Sequence, residues 1–322
     1  MDYAGLSILI ALTLLCAFLT YRAARTRRWW VKFAGGIPAG LLTLLFGAAT
    51  SLAFVGYGRL NTTYPNPPSP LTVQSTPKLI ADGERFARSC AGCHSSSGQL
   101  PLDGQNFFGA EGGPPIGTLW APNLTPAHLG DWTDGEIIRA IREGVGRDGR
   151  SLIIMPSSAF RNLSDDDVLA LVAYLRAQPA VGTASPPKQI NVVGAIMAAT
   201  IFPQEAFTAQ PPIAAPVVAP PRGPTAAYGG YLMSLGCQDC HASNLAGTPP
   251  GGDGPPPGPN LTTLPQRLSE EQFLTLLRTG TYPNGRQLSA DMPWQDLAGF
   301  SDDDLRAMHA YLQSLEPLPD NQ

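Results

Sequence analysis

The sequence predicts an all-α protein in which a two-helix transmembrane hairpin precedes two copies of one small helical module. Three observations carry this prediction: two long apolar stretches near the N-terminus, a pattern that repeats beyond them, and capping residues before the amphipathic segments. The 322 residues suffice for two domains of ordinary size and an appendage. The 34 glycines and 33 prolines predict irregular loops between short helices.

The hairpin is predicted over residues 1–58 from two uncharged stretches, residues 3–21 and 33–58. A membrane-spanning helix needs about 20 apolar residues, so both stretches are long enough. The basic loop between them, from Arg22 to Lys32, belongs on the cytoplasmic side of an inner membrane, which places the rest of the chain in the periplasm or extracytoplasmic space. A cleaved signal peptide is the alternative for the first stretch. It is less favoured because the arginines follow the apolar run.

The charge balance changes after the hairpin. Five of the 21 basic residues lie in the hairpin loop, whereas the chain beyond Gly58 holds 16 basic and 24 acidic residues. This acidic balance argues against nucleic acid as a partner, because nucleic-acid binding needs a basic footprint. It fits docking to a protein with a basic face.

One module is written twice beyond a proline-rich spacer, residues 59–75, which is expected to hold it off the membrane. The copies are predicted at residues 76–181 and 224–318, joined by a proline- and alanine-rich connector at residues 182–223. Within the connector, residues 190–202 are apolar and expected to pack on a module. Both copies contain, in order, Cys-x-x-Cys-His, Pro-Asn-Leu-Thr, a short helix, Met-Pro and a closing helix that begins Ser-Asp-Asp-Asp. The closing helices have matching apolar faces, at Val168, Leu171, Val172 and Leu175 and at Leu305, Met308, His309 and Leu312.

Four of the five cysteines and two of the four histidines fall in two Cys-x-x-Cys-His strings. This spacing is that of covalent haem attachment. Two thiols three residues apart on one helical turn can both bond to the vinyl groups of one porphyrin, and the next residue then directs its imidazole at the iron. The sequence therefore predicts two covalently bound haem c groups, attached at Cys90, Cys93, Cys237 and Cys240, with His94 and His241 as iron ligands.

A zinc site or a redox dithiol is the alternative for these strings. Zinc needs four ligands, whereas each string offers three that are close together. A thioredoxin-type dithiol expects a strand followed by a helix, and that pattern is not predicted around either string. Haem attachment is therefore preferred.

The second iron ligand is predicted to be Met155 in the first module and Met292 in the second. Both lie in loops before the closing helix and precede a proline. A thioether opposite the histidine raises the reduction potential and leaves the iron without an open position. Core packing is the alternative for any methionine. It is preferred for Met233 and Met308, which lie on helix faces.

The Pro-Asn-Leu-Thr strings have two possible roles. A ligating histidine usually donates its other ring N–H to a carbonyl or carboxylate, which makes the carbonyls of Pro122 and Pro259 candidates. An ordinary turn is the equal alternative. His309 takes the position that Val172 holds in the first copy and is expected to be packed, and His128 is expected in a loop.

Together these residues resemble class I cytochrome c domains. Each module has a glycine seven residues before its first cysteine, Gly83 and Gly230, then Pro-Asn-Leu, Met-Pro and a closing helix with a tyrosine. The stretch from Ala121 to Pro156 is also similar to the cytochrome subunits of membrane-bound alcohol and gluconate dehydrogenases. Those subunits typically carry three haems, whereas two attachment strings occur here. A paired anchor before two cytochrome domains also resembles the dihaem subunit of some haem–copper oxidases.

The resemblance implies all-α haem domains that relay electrons. The expected partners are membrane lipid and a redox protein of a respiratory chain: a dehydrogenase, a quinol-oxidising complex or a terminal oxidase. No convergent catalytic set is seen in the sequence, so catalysis by the chain itself is not expected. A haem peroxidase, which needs one five-coordinate iron, is the enzyme alternative, and a redox or gas sensor ranks last.

Overall fold

A computed structural model describes residues 3–109, 115–249 and 257–321. Helices dominate these ranges, as the all-α prediction requires, and one small three-stranded sheet is added to them. Two helical segments are long and apolar enough to cross a membrane, Ala4–Arg25 and Trp29–Leu60.

The N-terminal hairpin packs through polar and small side chains. It consists of α1 (Tyr3–Arg25), α2 (Trp29–Val31), a π-helical turn (Lys32–Gly36) and α3 (Ile37–Leu60). The hydroxyl of Thr13 lies 3.2 Å from that of Thr50, and the hydroxyls of Thr20 and Thr43 are 3.4 Å apart. Cys16 is buried on the same helix as Thr13 and Thr20, as expected of a small apolar residue. The basic loop is shorter than predicted because α1 continues to its second arginine.

The first module contains helices around a short antiparallel strand pair. Its elements are α4 (Pro77–Arg88), α5 (Ala91–His94), β1 (Gln105–Phe108), β2 (Gly117–Ala121), α6 (Pro126–Leu129), α7 (Asp134–Glu143), α8 (Ser157–Phe160) and α9 (Asp165–Ala177). The connector holds β3 (Gln189–Ile190), α10 (Val192–Thr200) and a 3₁₀ turn (Gln204–Phe207). The strand order is β1-β2-β3, with Gln105 opposite Ala121 and Gly117 opposite Ile190. The sheet therefore ties the connector to the first module.

The second module repeats the helices of the first. Its elements are α11 (Ala226–Met233), α12 (Cys237–His241), a 3₁₀ turn (Leu264–Gln266), α13 (Glu270–Thr279), a 3₁₀ turn (Trp294–Gly299) and α14 (Asp302–Ser314). The short helices α7 and α13 begin with capping boxes at Thr133 and Ser269. Both end at a glycine with left-handed backbone, Gly144 with φ 69° and Gly280 with φ 67°.

The first and last helices of each module cross at a glycine. A Cβ on Gly83 would lie 1.9 Å from the carbonyl oxygen of Ala170. In the second module Gly229 makes this contact, at 1.9 Å from the carbonyl oxygen of Ala307. The equation of Gly83 with Gly230 is therefore wrong by one residue, because the second module has one more residue between the crossing glycine and its first cysteine.

The spacer and the connector pack on neighbouring elements instead of extending into solvent. Asn66 of the spacer donates a 2.6 Å hydrogen bond to the Glu143 carboxylate, and the Tyr64 N–H donates to the Gly149 carbonyl at 2.8 Å. The apolar stretch of the connector, expected on a module, forms α10 and packs on α3 of the hairpin. The first module is thus held close to the hairpin.

One continuous hydrophobic core runs through both modules. The predicted apolar faces of α9 and α14 are buried within it. His309 is 2% exposed, and its ring packs 5.3 Å from that of Phe273. Neither ring nitrogen of His309 has a hydrogen-bond partner among the described residues, so it serves as a packed side chain.

A buried charge cluster centred on Arg85 of α4 joins the two modules. Its guanidinium lies 3.0 Å from the carboxylate of Asp167 and 3.3 Å from that of Asp304. It also donates to the hydroxyl of Tyr228 at 3.0 Å. Asp167 and Asp304 are equivalent residues, each in the first turn of its module's closing helix. One cation therefore lies between the matching helix N-termini of the two modules.

Replacing Arg85 by Met should lower the free energy of unfolding by about 3–5 kcal/mol, because two carboxylates would lose their shared buried cation. Arg88→Met is the matched control: it lies one turn away on α4, its side chain is 39% exposed, and it pairs with the exposed Glu84. That variant should lose at most about 1 kcal/mol. Urea unfolding followed by circular dichroism measures both, and equal losses would contradict the central role of Arg85.

Candidate functional site

Each module presents its Cys-x-x-Cys-His string on one short helical turn. Cys90 precedes α5 and His94 ends it, and the His94 N–H donates to the Cys90 carbonyl at 2.8 Å. In the second module Cys237 begins α12 and His241 ends it. The two histidines are 8% and 5% exposed, respectively. The turn thus brings two thiols and one buried imidazole together twice.

A proline carbonyl fixes each of these imidazole rings. The Nδ1 atom of His94 lies 2.7 Å from the Pro122 carbonyl oxygen, and that of His241 lies 2.7 Å from the Pro259 carbonyl oxygen. Because a carbonyl can only accept, Nδ1 carries the hydrogen and Nε2 keeps its lone pair. Burial lowers the pKa of both histidines below the usual value, although the carbonyl bond acts in the opposite direction. The rings are therefore neutral at neutral pH, the form that binds a metal.

A buried asparagine holds each of these carbonyls in place. The Asn123 side-chain oxygen accepts from the Thr125 N–H at 2.8 Å and from the Thr125 hydroxyl at 2.7 Å. Asn260 makes the same two bonds with its own threonine. The Asn123 amide donates to Val181 after α9, and that of Asn260 donates to Leu318 after α14. Each proline carbonyl is thereby tied to the end of the closing helix.

Sequence reasoning assigned no role to these asparagines, although the repeated Pro-Asn-Leu-Thr strings contained the signal. It also missed Gly104 and Gly247, which both have φ +89°. Their N–H groups donate to the backbone carbonyls of His94 and His241, at 2.7 and 3.0 Å. A Cβ on Gly104 would lie 2.8 Å from the Asn123 backbone nitrogen. Glycine is therefore required where the loop passes over the histidine.

The thiols do not suit the zinc and dithiol alternatives. Burial raises the pKa of Cys90 to about 12 and that of Cys237 to about 11. The pKa values of Cys93 and Cys240 are raised by burial as well. Reactive dithiols and zinc ligands need thiolates, which a lowered pKa supplies. Among the described residues, no cluster of three or more His, Cys, Asp and Glu side chains could hold a metal ion.

Met155 and Met292 lie in matching turns. In each turn the N–H two residues later donates to the methionine carbonyl at 2.8 Å. The prolines that follow them have nearly the same backbone angles, φ −78° and ψ 56° in the first module and φ −80° and ψ 55° in the second. Both methionines are half-buried, whereas Met233 and Met308 are 3% exposed in the core. The equivalence supports one shared role for Met155 and Met292, and iron ligation by them stays a prediction.

Each module places its Met-Pro loop beside the cysteine turn of the other. The 3₁₀ turn after the second Met-Pro pair packs on α4, where the charge of Asp296 contributes to the raised pKa values of Cys90 and Cys93. Burial raises the pKa of Asp296 to about 6. In the reverse direction, Asn162 donates to the Ser234 carbonyl at 3.4 Å, shortly before the second cysteine string. The two sites therefore face each other across the module interface.

Comparison with known proteins agrees with this geometry. The profile of the family described as "Cytochrome c" matches residues 80–179 and 226–316. Over 330 aligned residues, 92% of this chain and 26% of the relative, the chain is 30% identical to a nicotinate dehydrogenase subunit of Pseudomonas putida. It is 30% identical to the cytochrome c subunit of alcohol dehydrogenase (quinone) from Gluconacetobacter polyoxogenes, covering 76% of this chain and 57% of that subunit.

A shorter match involves a relative with two haems in its name. The chain is 35% identical over 95 residues to the "Diheme cytochrome c-type" protein of Cereibacter sphaeroides, which is 29% of this chain and 32% of that protein. The chain thus spans between about a quarter and somewhat over half of the length of these relatives.

Asn123→Ala should lower the free energy of unfolding by about 2–4 kcal/mol, because it leaves several buried polar groups without partners. Asn123 is fully buried. The control is Asn162→Ala, which removes one exposed hydrogen bond of 3.4 Å. It should change the free energy by no more than about 0.5 kcal/mol. Denaturant unfolding of the full chain decides, and a loss in Asn123→Ala as small as in the control would refute the anchoring role.

Proposed function

The chain belongs to the cytochrome c family, and on that premise we propose that it is a membrane-anchored dihaem cytochrome that relays single electrons on the extracytoplasmic face. The observation that carries the proposal is the duplication of one site: a Cys-x-x-Cys-His turn whose histidine Nδ1 lies 2.7 Å from a proline carbonyl in both modules. Covalently bound haem c is implied by the family, and two attachment turns support two haems.

The residues at both turns fit a covalently attached haem. The protonated thiols are suited to addition to vinyl groups, and the free Nε2 atom of each histidine is the nitrogen that an iron would take. When bound, the haem supplies the one-electron chemistry. The residues proposed to hold it are Cys90, Cys93, His94 and Met155 in the first module and Cys237, Cys240, His241 and Met292 in the second.

The protein itself sets the orientation and donor strength of these ligands. The carbonyls of Pro122 and Pro259 fix the ring planes and, by accepting the Nδ1 hydrogen, make Nε2 a better donor. A methionine on the opposite side closes the last coordination position and raises the reduction potential. This arrangement favours an electron carrier over a peroxidase, which needs an open position.

Passage of electrons between the modules is supported by their interface. Arg85 holds the closing helices of both modules through buried ion pairs. The Met-Pro loop of each module lies beside the cysteine turn of the other. Such an interface keeps two redox groups at a constant separation, as a relay requires.

A dehydrogenase is the partner that the comparisons favour. The relatives include a nicotinate dehydrogenase subunit and the cytochrome c subunit of a quinone-dependent alcohol dehydrogenase. We infer that this chain accepts electrons from a dehydrogenase docked to its acidic exterior. The terminal oxidase and the quinol-oxidising complex have no such support. The two apolar helices would anchor the chain in the inner membrane, with the basic loop in the cytoplasm.

The reduced protein should show little change in its visible spectrum with carbon monoxide, because both irons have two protein ligands. Met155→Ala and Met292→Ala should each create one carbon monoxide-binding haem. Met308→Ala is the control, since Met308 is a core residue 3% exposed. It should lower stability without creating a binding site. Strong binding by the unaltered protein would contradict the relay and favour the peroxidase alternative.

Gly258→Ala should raise the reduction potential of the second haem alone. A Cβ there would lie 2.5 Å from the Cys240 carbonyl oxygen and 2.7 Å from His241 Nδ1, displacing the ring from the Pro259 carbonyl. A histidine without this partner stabilises oxidised iron less. Gly236→Ala is the control, because a Cβ there meets no atom within 4 Å. A two-wave redox titration is the measurement, and equal shifts in the two variants would refute the carbonyl's role.

A further inference from the structure

We propose that α10, the helix of the connector, is embedded in the extracytoplasmic leaflet of the membrane beside α1 and α3. It rests on the transmembrane hairpin of the proposed function and adds a third lipid-contacting element to it. The first module would then be seated on the membrane surface by two attachments instead of tethered above it.

The register of the hairpin sets the depth of α10. Thr13 of α1 faces Thr50 of α3, so in this antiparallel pair Leu6, two turns nearer the start of α1, is level with Tyr57. Leu6 and Tyr57 indeed belong to one apolar cluster, which also includes residues of α10. A spanning helix uses about 20 residues, nearly all of α1, so the start of α1 lies at the edge of the hydrocarbon. The same must hold for the last turns of α3, on which α10 packs.

The contact between α10 and α3 is close and specific. A Cβ on Gly56 would lie only 1.7 Å from the carbonyl oxygen of Ala195, so only glycine permits the approach. Ala53 and Ala195 are fully buried in this contact. Arg59 donates a 2.9 Å hydrogen bond to the Ala198 carbonyl near the end of α10, where helix carbonyls lack partners. The helix is therefore fixed to α3 at this depth.

The outward face of α10 is apolar as well. The helix contains no charged residue, and Val193 and Ile201, within it and at its end, are 44% and 63% exposed. On the adjoining part of α3, Phe54 and Val55 are 56% and 51% exposed. A helix that is apolar on all sides needs an apolar surrounding. Lipid is the occupant that fits, because this surface continues the lipid-facing side of the hairpin.

The seated α10 brings the Met155 loop of the first module to the membrane surface. Ile153 packs on the apolar cluster of α3 and α10, and Ile154 beside it is 45% exposed. Lys188, just before α10, donates to the carbonyl of Leu60 at the end of α3 at 3.2 Å. The predicted methionine ligand of the first haem would therefore lie next to the bilayer.

Thiol accessibility tests the inference in the full chain carrying both haems. Single cysteines at Ile201, Leu44 and Val218 are made in a Cys16→Ser background and placed in nanodiscs of phosphatidylethanolamine and phosphatidylglycerol. Leu44 is 71% exposed in the middle of α3, and Val218 is 82% exposed on the connector. A membrane-impermeant maleimide should label Ile201→Cys at least about tenfold more slowly than Val218→Cys, because a thiol in lipid does not ionise. Its rate should match that of Leu44→Cys.

A matched glycine pair separates protection by lipid at this position from general protection. Adding Gly56→Leu to Ile201→Cys should raise labelling towards the Val218→Cys rate, since α10 can no longer approach α3. Adding Gly58→Leu should not, because a Cβ on Gly58 meets no atom within 4 Å. Fast labelling of Ile201→Cys with a protected Leu44→Cys would overturn the inference and leave the anchor standing. Fast labelling of both would overturn the hairpin and the inference together.

Discussion

The hydrogen bond between a histidine ring and a proline carbonyl, made once in each module, is the constraint around which both modules are organised. It selects the tautomer, fixes the ring plane and leaves Nε2 free. The buried asparagine after the proline carries this constraint to the end of the closing helix. The closing helix in turn crosses the first helix at a glycine, directly before the cysteines. Each module is therefore a closed circuit of short contacts that begins and ends at the Cys-x-x-Cys-His turn.

The joint between the modules is built from a residue that has no counterpart in the repeat. Arg85 lies in the first module, yet its guanidinium serves the equivalent acids Asp167 and Asp304 of both closing helices. A buried guanidinium between two carboxylates stabilises only if each charge is paired and hydrogen-bonded. The hydroxyl of Tyr228 adds a bond to the same guanidinium. Two nearly identical domains are thereby combined into one asymmetric unit, which is what directional electron flow needs.

The sequence was sufficient for what depends on local spacing and insufficient for what depends on distant register. The cysteine turns, the capped helices and the candidate proline carbonyls follow from residues close together in the chain. Arg85, by contrast, reads as an ordinary arginine of an amphipathic helix until the fold places Asp304 beside it. The crossing glycine was assigned to Gly230 because cysteine spacing cannot reveal the extra residue that makes Gly229 the contact. The packing of α10 on α3 likewise joins segments that are far apart in sequence.

Electron relay by this chain depends on two haems bonded to the polypeptide at two equivalent turns. The most direct measurement is the intact mass of the purified chain after acid denaturation, which removes every group that is not covalently bound. Attachment at both turns predicts a mass equal to that of the polypeptide plus two haems, falling by one haem when Cys90 and Cys93 are both replaced by Ala. A mass equal to the bare polypeptide would contradict it.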